Sequence, residues 1–177
     1  MTSASLSPAP DSRPPAAGPE ADVDPAAGSV EFINFAIGAD QYGVDIMSVR
    51  EIKEWSNVTH LPKQPDYVRG VLNLRGVVVP IIDLRCRFGE GLTECTPTHI
   101  MIIVHVDGRQ IGLLADRVLD IVSVEQGAIQ PVPTVARSSR VRFLSGLVTV
   151  EDAMIALIDL VRLLFDDNDQ SAIVLDA

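Results

Sequence analysis

Apolar and polar residues alternate in short runs along residues 30–165, where valine and isoleucine are frequent and glycine, proline and aspartate separate the runs. Residues 31–37 place Ile33, Phe35 and Ile37 on one face, which predicts a half-buried strand. Asp107-Gly108 lies between two apolar runs and predicts a hairpin, because both residues tolerate a positive φ. No segment before residue 159 keeps a helical period for three turns, so the pattern predicts an all-β protein.

The second half of this stretch repeats the first. A shift of 69 residues aligns Ile33 with Ile102 and Gly43 with Gly112. After a seven-residue insertion, a shift of 76 aligns two further features. These are Gly70 with Gly146, and the Ile-Asp-Leu tripeptide around Asp83 with the one around Asp159. Matched glycines in one register are hard to obtain by chance, so we infer an internal duplication.

Each copy of the repeat has the pattern of five short strands followed by a short helix, which is enough for a small closed barrel. We expect a first barrel at about residues 30–95 and a second at about 96–165, and an exchange of terminal elements between them stays open. A unit of this size is marginally stable alone. The two barrels are therefore expected to share an apolar interface.

The ends of the chain differ from this middle part. Residues 1–29 hold six of the twelve prolines and carry a net charge of −3, which predicts a disordered Pro/Ala-rich tail. Residues 166–177 form an acidic tail with a net charge of −4, so only −3 remains on residues 30–165. A nucleic-acid-binding domain needs a basic excess, and nucleic acid is therefore excluded as an expected partner.

The sequence also bears on location. No apolar run reaches the roughly 20 residues that span a bilayer, and the N-terminus lacks the basic and apolar parts of a secretory signal. Cys86 and Cys95 match no redox or metal-binding spacing and are expected to be reduced thiols. We therefore expect a cytoplasmic protein with no direct membrane insertion.

Candidate catalytic chemistry is sparse. Asp83 and Asp159 could form a carboxylate pair, but each ends an apolar strand just before a short helix, which favours a structural N-cap. The histidines are too widely spaced for one metal ion, and no nucleophile elbow or phosphate-binding loop occurs. The sequence predicts no catalytic residue, no metal and no cofactor, and hence no enzyme. Glycines with predicted structural roles are Gly43, Gly70, Gly76 and Gly146.

The segment Asn73-Leu-Arg-Gly76 predicts a tight turn that exposes Arg75. Its counterpart in the second copy carries Glu151 and Asp152, so the two units differ in charge at one exposed position. This difference suggests different partners, although an ordinary solvated arginine explains the residue slightly better on sequence alone. If Ile52 on the preceding strand points into a barrel, Val49 and Glu51 both point outward.

Two segments resemble the CheW-like domain family of chemotaxis coupling proteins: Tyr42-Gly-Val-Asp-Ile46 with the following Val49-x-Glu-Ile52, and residues 69–85 around Asn-Leu-Arg-Gly. The resemblance covers about residues 30–165. It implies two tandem SH3-like five-stranded barrels and a scaffold that links the cytoplasmic tips of methyl-accepting chemoreceptors to the regulatory domain of a CheA-type histidine kinase, in membrane-associated arrays. It also implies receptor contact at six positions: Val49, Glu51, Arg75, Ile100, Gly112 and Val118.

Two alternatives stay open at this point. The chain could be a CheW-like module of a non-flagellar pathway, such as surface motility or gene control. A small β-barrel hydrolase or ligand-binding protein is the alternative of another class, and it would need a polar cluster that the sequence does not reveal.

Overall fold

A computed structural model describes residues 28–133 and 138–166. Within them lie ten strands and two short helices, which confirms the all-β class. The first strands are β1 (Ser29–Ile37), β2 (Asp40–Asp45), β3 (Val49–Glu54), β4 (Val68–Leu74) and β5 (Val77–Asp83), followed by helix α1 (Leu84–Arg87). The others are β6 (Ile100–Val106), β7 (Arg109–Ala115), β8 (Arg117–Glu125), β9 (Leu144–Val150) and β10 (Ala153–Ile158), followed by α2 (Leu160–Phe165). The predicted tails lie outside the described residues except for residues 28, 29 and 166.

The strands form two five-stranded sheets with the same design. Barrel A has the order β8-β1-β2-β10-β9, and barrel B has the order β3-β6-β7-β5-β4. Neighbours are antiparallel except for β2 with β10 and β5 with β7. One bridge closes each sheet: Thr59 pairs with Val71 in barrel B, and Gln130 pairs with Leu147 in barrel A. The predicted pair of five-stranded SH3-like barrels is confirmed.

Each barrel combines strands from both copies of the repeat. Barrel B is the continuous stretch from β3 to β7, whereas barrel A takes β1 and β2 from the first copy and β8, β9 and β10 from the second. A boundary near residue 95 separates the copies along the sequence, and each barrel uses strands from both sides of it. The chain crosses between the barrels at the 3-10 turn Ile46–Ser48 and again at Asp116. These two crossings occupy the same position in the repeat.

Strand register shows the duplication directly. Ile33 faces Val44 in the β1–β2 hairpin, and Ile102 faces Leu113 in the β6–β7 hairpin, each pair shifted by 69 residues. The β4–β5 and β9–β10 hairpins correspond in the same way at a shift of 76. The two copies therefore agree residue by residue in their pairing as well as in their sequence pattern.

The matched glycines Gly43 and Gly112 make room for matched side chains. A Cβ atom on Gly112 would lie 2.4 Å from Ile81 Cδ1, and one on Gly43 would lie 2.9 Å from Leu157 Cδ2. Ile81 and Leu157 correspond to each other in the repeat, and each belongs to the strand that runs parallel to the glycine's strand. Each glycine thus admits a buried side chain of its own barrel.

Gly70 and Gly146 make room for the segments that close the barrels. A Cβ atom on Gly70 would lie 2.4 Å from the carbonyl oxygen of Thr59, and one on Gly146 would lie 3.1 Å from that of Gln130. Thr59 and Gln130 are the residues of the two closing bridges. Any larger residue at these glycines would press against the backbone that covers the barrel edge.

Three apolar clusters hold the fold together. One lies within each barrel, and the largest joins the barrels through residues of both, among them Phe35 of β1 and Val104 of β6. The prediction that β1 is half-buried was wrong: Ile33 and Phe35 enter the shared cluster, while Phe32 on the opposite face enters the interior of barrel A. Strand β1 is buried on both faces because its outer face is the interface between the barrels.

Asp83 and Asp159 are N-caps of the two helices. Asp83 accepts a hydrogen bond from Cys86 N, and Asp159 accepts one from Arg162 N. Asp83 is completely buried and also accepts hydrogen bonds from the backbone N and the side-chain Oγ1 of Thr93, both at 2.7 Å. These bonds account for both oxygens of the buried Asp83 carboxylate.

Candidate functional site

The β4–β5 turn presents Arg75 on a rigid base. Arg75 and Gly76 have positive φ angles of 51° and 85°, and Asn73 Oδ1 accepts a hydrogen bond from Gly76 N at 2.9 Å. The Arg75 side chain is 78% exposed. In the equivalent turn of barrel A, Glu151 and Asp152 also have positive φ angles, of 48° and 67°. The same reversal therefore carries a cation on one barrel and two acids on the other.

Glu51 of β3 contacts Arg75. Arg75 Nη2 donates a hydrogen bond of 2.8 Å to Glu51 Oε2, and this bond lowers the pKa of Glu51 below its ordinary value. Oε1 of Glu51 is buried, and within the described part of the chain it has no hydrogen-bond partner. The geometry brings together two of the six residues implied by the resemblance, one from β3 and one from the β4–β5 turn.

Strand β3 does not place Ile52 inside a barrel and Val49 outside it. Ile52 is 43% exposed, whereas Val49 is half-buried against the apolar cluster between the barrels. The pairing of β3 with β6 shifts between Val49 and Glu51, which leaves Arg50 unpaired as a bulge. Exposure nevertheless alternates without a break along β3, and Ile52 lies on the exposed face while Val49 and Glu51 lie on the half-buried face. An inward Ile52, the condition under which Val49 and Glu51 would both point outward, is therefore not met.

The other three of the six positions implied by the resemblance are Ile100, Val118 and Gly112. Ile100 and Val118 are half-buried and, like Val49, pack against the cluster between the barrels. Val49 and Val118 follow the two chain crossings and correspond in the repeat. Gly112 is buried under Ile81 inside barrel B and presents no side chain to a partner.

Apolar side chains are exposed at matched positions of the two barrels, a feature that the sequence pattern did not reveal. Ile52 and Ile121 form one such pair, and Val78 and Met154 form another. Val78 and its neighbour Val77 follow directly after the Arg75 turn. An alternating pattern alone cannot show them, because β5 is otherwise buried on both faces.

A second polar cluster, also missed from the sequence, surrounds Asp116 at the second crossing. Asp116 Oδ2 accepts a hydrogen bond from Gly38 N at 2.7 Å, and Arg85 Nη2 reaches its two oxygens at 2.8 and 3.0 Å. His99 Nε2 lies 3.4 Å from Oδ1. Burial acts to raise the pKa of Asp116, but the bonds from Gly38 and Arg85 outweigh it and leave the pKa below its ordinary value. The contacts come from segments far apart in the sequence, which is why no local motif marks them.

Residues 28–133 and 138–166 contain no group of three or more His, Cys, Asp or Glu side chains placed to hold a metal ion. None of the described helices combines the length and the hydropathy that a membrane crossing requires.

Comparison with known proteins gives one consistent family. The model of the CheW-like domain matches residues 31–168. The chain is 40% identical over 145 residues to the probable chemotaxis protein CheW of Rhizobium etli, covering 82% of this chain and 94% of that protein. It is 42% identical over 133 residues to the chemotaxis protein CheW of Rhizobium meliloti, covering 75% and 86%.

A solved structure agrees with these relatives. The crystal structure of the scaffolding protein TtCheW from Thermoanaerobacter tengcongensis superimposes with a TM-score of 0.70 at 32% identity, covering 76% of this chain and 87% of that one. The comparisons do not favour a β-barrel hydrolase or a pathway other than chemotaxis.

Proposed function

The chain belongs to the CheW-like domain family and has the role of a chemotaxis scaffold, and we propose that it couples the cytoplasmic tips of chemoreceptors to a CheA-type histidine kinase. It would act without a catalytic step, by holding both partners at a high effective concentration in an array. We place it in the cytoplasm, recruited to receptor arrays at the membrane.

The observation that carries the receptor assignment is the contact between Arg75 and Glu51. A guanidinium that projects from a closed turn is suited to carboxylate and carbonyl groups of a partner, because it offers several donors in a fixed plane. Glu51 of β3 holds it through a hydrogen bond, so little conformational freedom is lost on binding. We assign Val49, Glu51 and Arg75 to the receptor contact.

Apolar side chains next to this cation extend the proposed surface. Val77 and Val78 are exposed directly after the turn, and Val49 lies at the start of β3 where the chain enters barrel B. Protein interfaces combine an apolar centre with a polar rim. Ile100 and Val118, which pack on the cluster between the barrels, support the surface from below. Gly112 supports it only indirectly, through the packing of Ile81.

For the kinase we propose a separate surface at a barrel end. The two barrels carry opposite charges at their equivalent turns, so a partner that binds the arginine turn is repelled by the acidic one. This difference lets one duplicated scaffold hold two unlike proteins. No individual residue is assigned to the kinase contact.

Two separate binding measurements test the proposal: the purified chain against a receptor cytoplasmic fragment, and against a kinase regulatory domain. Arg75→Glu should weaken the receptor contact by roughly tenfold or more, as expected for loss of a charged contact in an interface. Glu151→Arg, the matched change on barrel A, should leave receptor affinity within about twofold, and both variants should unfold at the same urea concentration as the unmodified chain.

The assignment of the receptor surface and the coupling function can each be contradicted separately. Equal receptor affinity for Arg75→Glu and the unmodified chain would remove the assignment of this surface. A chain that binds neither fragment and fails to co-sediment with receptor-containing membranes and kinase would overturn the coupling function itself.

A further inference from the structure

The two barrels are joined covalently only where the chain crosses between them, at Ile46–Ser48 and at Asp116, within the described residues. Val49 begins the strand after the first crossing, and Val118 lies in the strand after the second. Both residues belong to the six receptor-contact positions that the family resemblance implies. Their relative position therefore depends on the apolar cluster that the barrels share and on how each crossing is held.

The second crossing is held from both sides. Asp116 N donates to the carbonyl oxygen of Ala36 in β1, and the Asp116 carboxylate accepts from Gly38 N in the β1–β2 turn, both in barrel A. The same carboxylate binds Arg85 of α1, the helix that follows β5 of barrel B. It also faces His99, which precedes β6 of barrel B.

Burial distinguishes this cluster from an ordinary surface ion pair. The side chains of Arg85, Asp116 and His99 are 27%, 24% and 15% exposed. The guanidinium of Arg85 also lies against the β1–β2 turn, since a Cβ atom on Gly38 would be 3.7 Å from Arg85 Nη1. A carboxylate with hydrogen bonds to both barrels has one favourable placement, so it restricts how they can move relative to each other.

The first crossing lacks this arrangement. Met47 corresponds to Asp116 in the repeat and is 79% exposed, and Val161 corresponds to Arg85 and is 50% exposed. The fold therefore forms a crossing at this position without an ion pair. The cluster at Asp116 is an addition to one crossing, which indicates a role beyond folding of the repeat.

We propose that Asp116 and Arg85 are positioning residues, which fix strand β8 with Val118 relative to barrel B and so set the shape of the receptor surface without touching the receptor. This inference rests on the proposed function for the identity of the partner. The geometric part, that the pair fixes the relation between the barrels, stands independently of any partner.

The first experiment measures that geometry without a partner. Spin labels at Glu54 and Ser123, exposed positions that correspond in β3 and β8, report the distance between the barrels by double electron–electron resonance. They are introduced as Glu54→Cys and Ser123→Cys, with Cys86→Ser and Cys95→Ser. Asp116→Asn and Arg85→Met should each broaden or shift the distance distribution. Arg162→Met is the control, because Arg162 is 62% exposed and pairs locally with Asp159, three residues earlier; it should leave the distribution unchanged.

The second experiment titrates the same variants with a receptor cytoplasmic fragment. Asp116→Asn and Arg85→Met should each weaken binding roughly fivefold, and the double variant should be no weaker than either single one, because both remove one shared interaction. Arg162→Met should bind as the unmodified chain does.

The outcomes separate the two claims. An unchanged distance distribution in both Asp116→Asn and Arg85→Met, or affinity losses that simply add in the double variant, would overturn the positioning role. Failure of the unmodified chain to bind the receptor fragment would overturn the proposed partner, while the distance measurement would still decide whether the pair fixes the barrels.

Discussion

Arg87 Nε donates a hydrogen bond of 3.1 Å to the carbonyl oxygen of Leu163, the residue that occupies the position of Arg87 in the second copy of the repeat. The guanidinium lies 4.3 Å from the ring centre of Tyr67 and 4.6 Å from that of Phe143, and these two rings also correspond in the repeat. An approximate two-fold axis of the duplicated fold therefore passes close to this arginine. One copy supplies a buried cation where the other supplies a leucine, so the duplication is asymmetric at its centre.

This position predicts a large effect on stability. Arg87 is 7% exposed, and Arg87→Met keeps the aliphatic stem but removes the charged donor and both ring contacts. We expect the free energy of unfolding to fall by about 1.5–3 kcal/mol, the range for loss of a hydrogen bond to a charged group. Arg162→Met is the control, since that side chain is 62% exposed and should change stability by less than about 0.5 kcal/mol. Urea unfolding measures both, and equal stability of the two variants would contradict a central role for Arg87.

A second prediction concerns the turn that carries Arg75. Asn73→Ala removes the side-chain acceptor of Gly76 N and should lower the free energy of unfolding by about 0.5–1.5 kcal/mol. Receptor affinity should also fall, by roughly threefold, because the arginine is then presented by a less ordered turn. Thr149→Ala is the matched control at the same position of barrel A. If it costs as much stability as Asn73→Ala, the acceptor at Asn73 has no special role.

Much of the fold follows from sequence reasoning because its signals are local or repeated. The hairpin at Asp107-Gly108, the capping aspartates and the register of the duplication each depend on a few neighbouring residues or on one constant shift. The exchange of strands between copies does not, since a repeat shows which residues correspond but not which copy supplies the pairing partner. The orientation of β3 does not follow either, since the alternation places Val49 and Glu51 on one face and Ile52 on the other but does not show which face is exposed.

The candidate site was predictable only in part. Arg75 stands out as a turn residue, but its contact with Glu51 joins positions 24 residues apart. The cluster at Asp116 depends on Gly38 and Arg85, which lie 78 and 31 residues away in the sequence. No spacing rule links such positions, because each set of residues meets only through the tertiary arrangement of the strands.

The lowered pKa of Asp116 predicts how its contribution to stability depends on pH. Because the folded value lies below that of the unfolded chain, ordinarily about 3.9, the contribution is complete above the unfolded value and is lost as the pH falls towards the folded one. The ionisable groups in contact with it are Arg85 and His99. The unfolding free energies of the unmodified chain and Asp116→Asn should therefore differ most near neutral pH and converge between roughly pH 5 and pH 3. A gap that stays constant over this range would show that the Asp116 carboxylate contributes nothing as a charge.

The buried position of Gly112 leads to a rescue experiment. Gly112→Ala would place a Cβ atom 2.4 Å from Ile81 Cδ1 and 3.2 Å from Ile103 Cδ1, and such overpacking costs about 1–3 kcal/mol. Any loss of receptor binding in this variant should then follow from distortion of barrel B. Ile81→Val removes the closest atom, so Gly112→Ala with Ile81→Val should recover part of both the stability and the receptor affinity. Urea unfolding and receptor titration of the single and double variants measure this directly. Recovered stability without recovered affinity would instead show that the receptor approaches the backbone at Gly112, and would restore that residue to the contact surface.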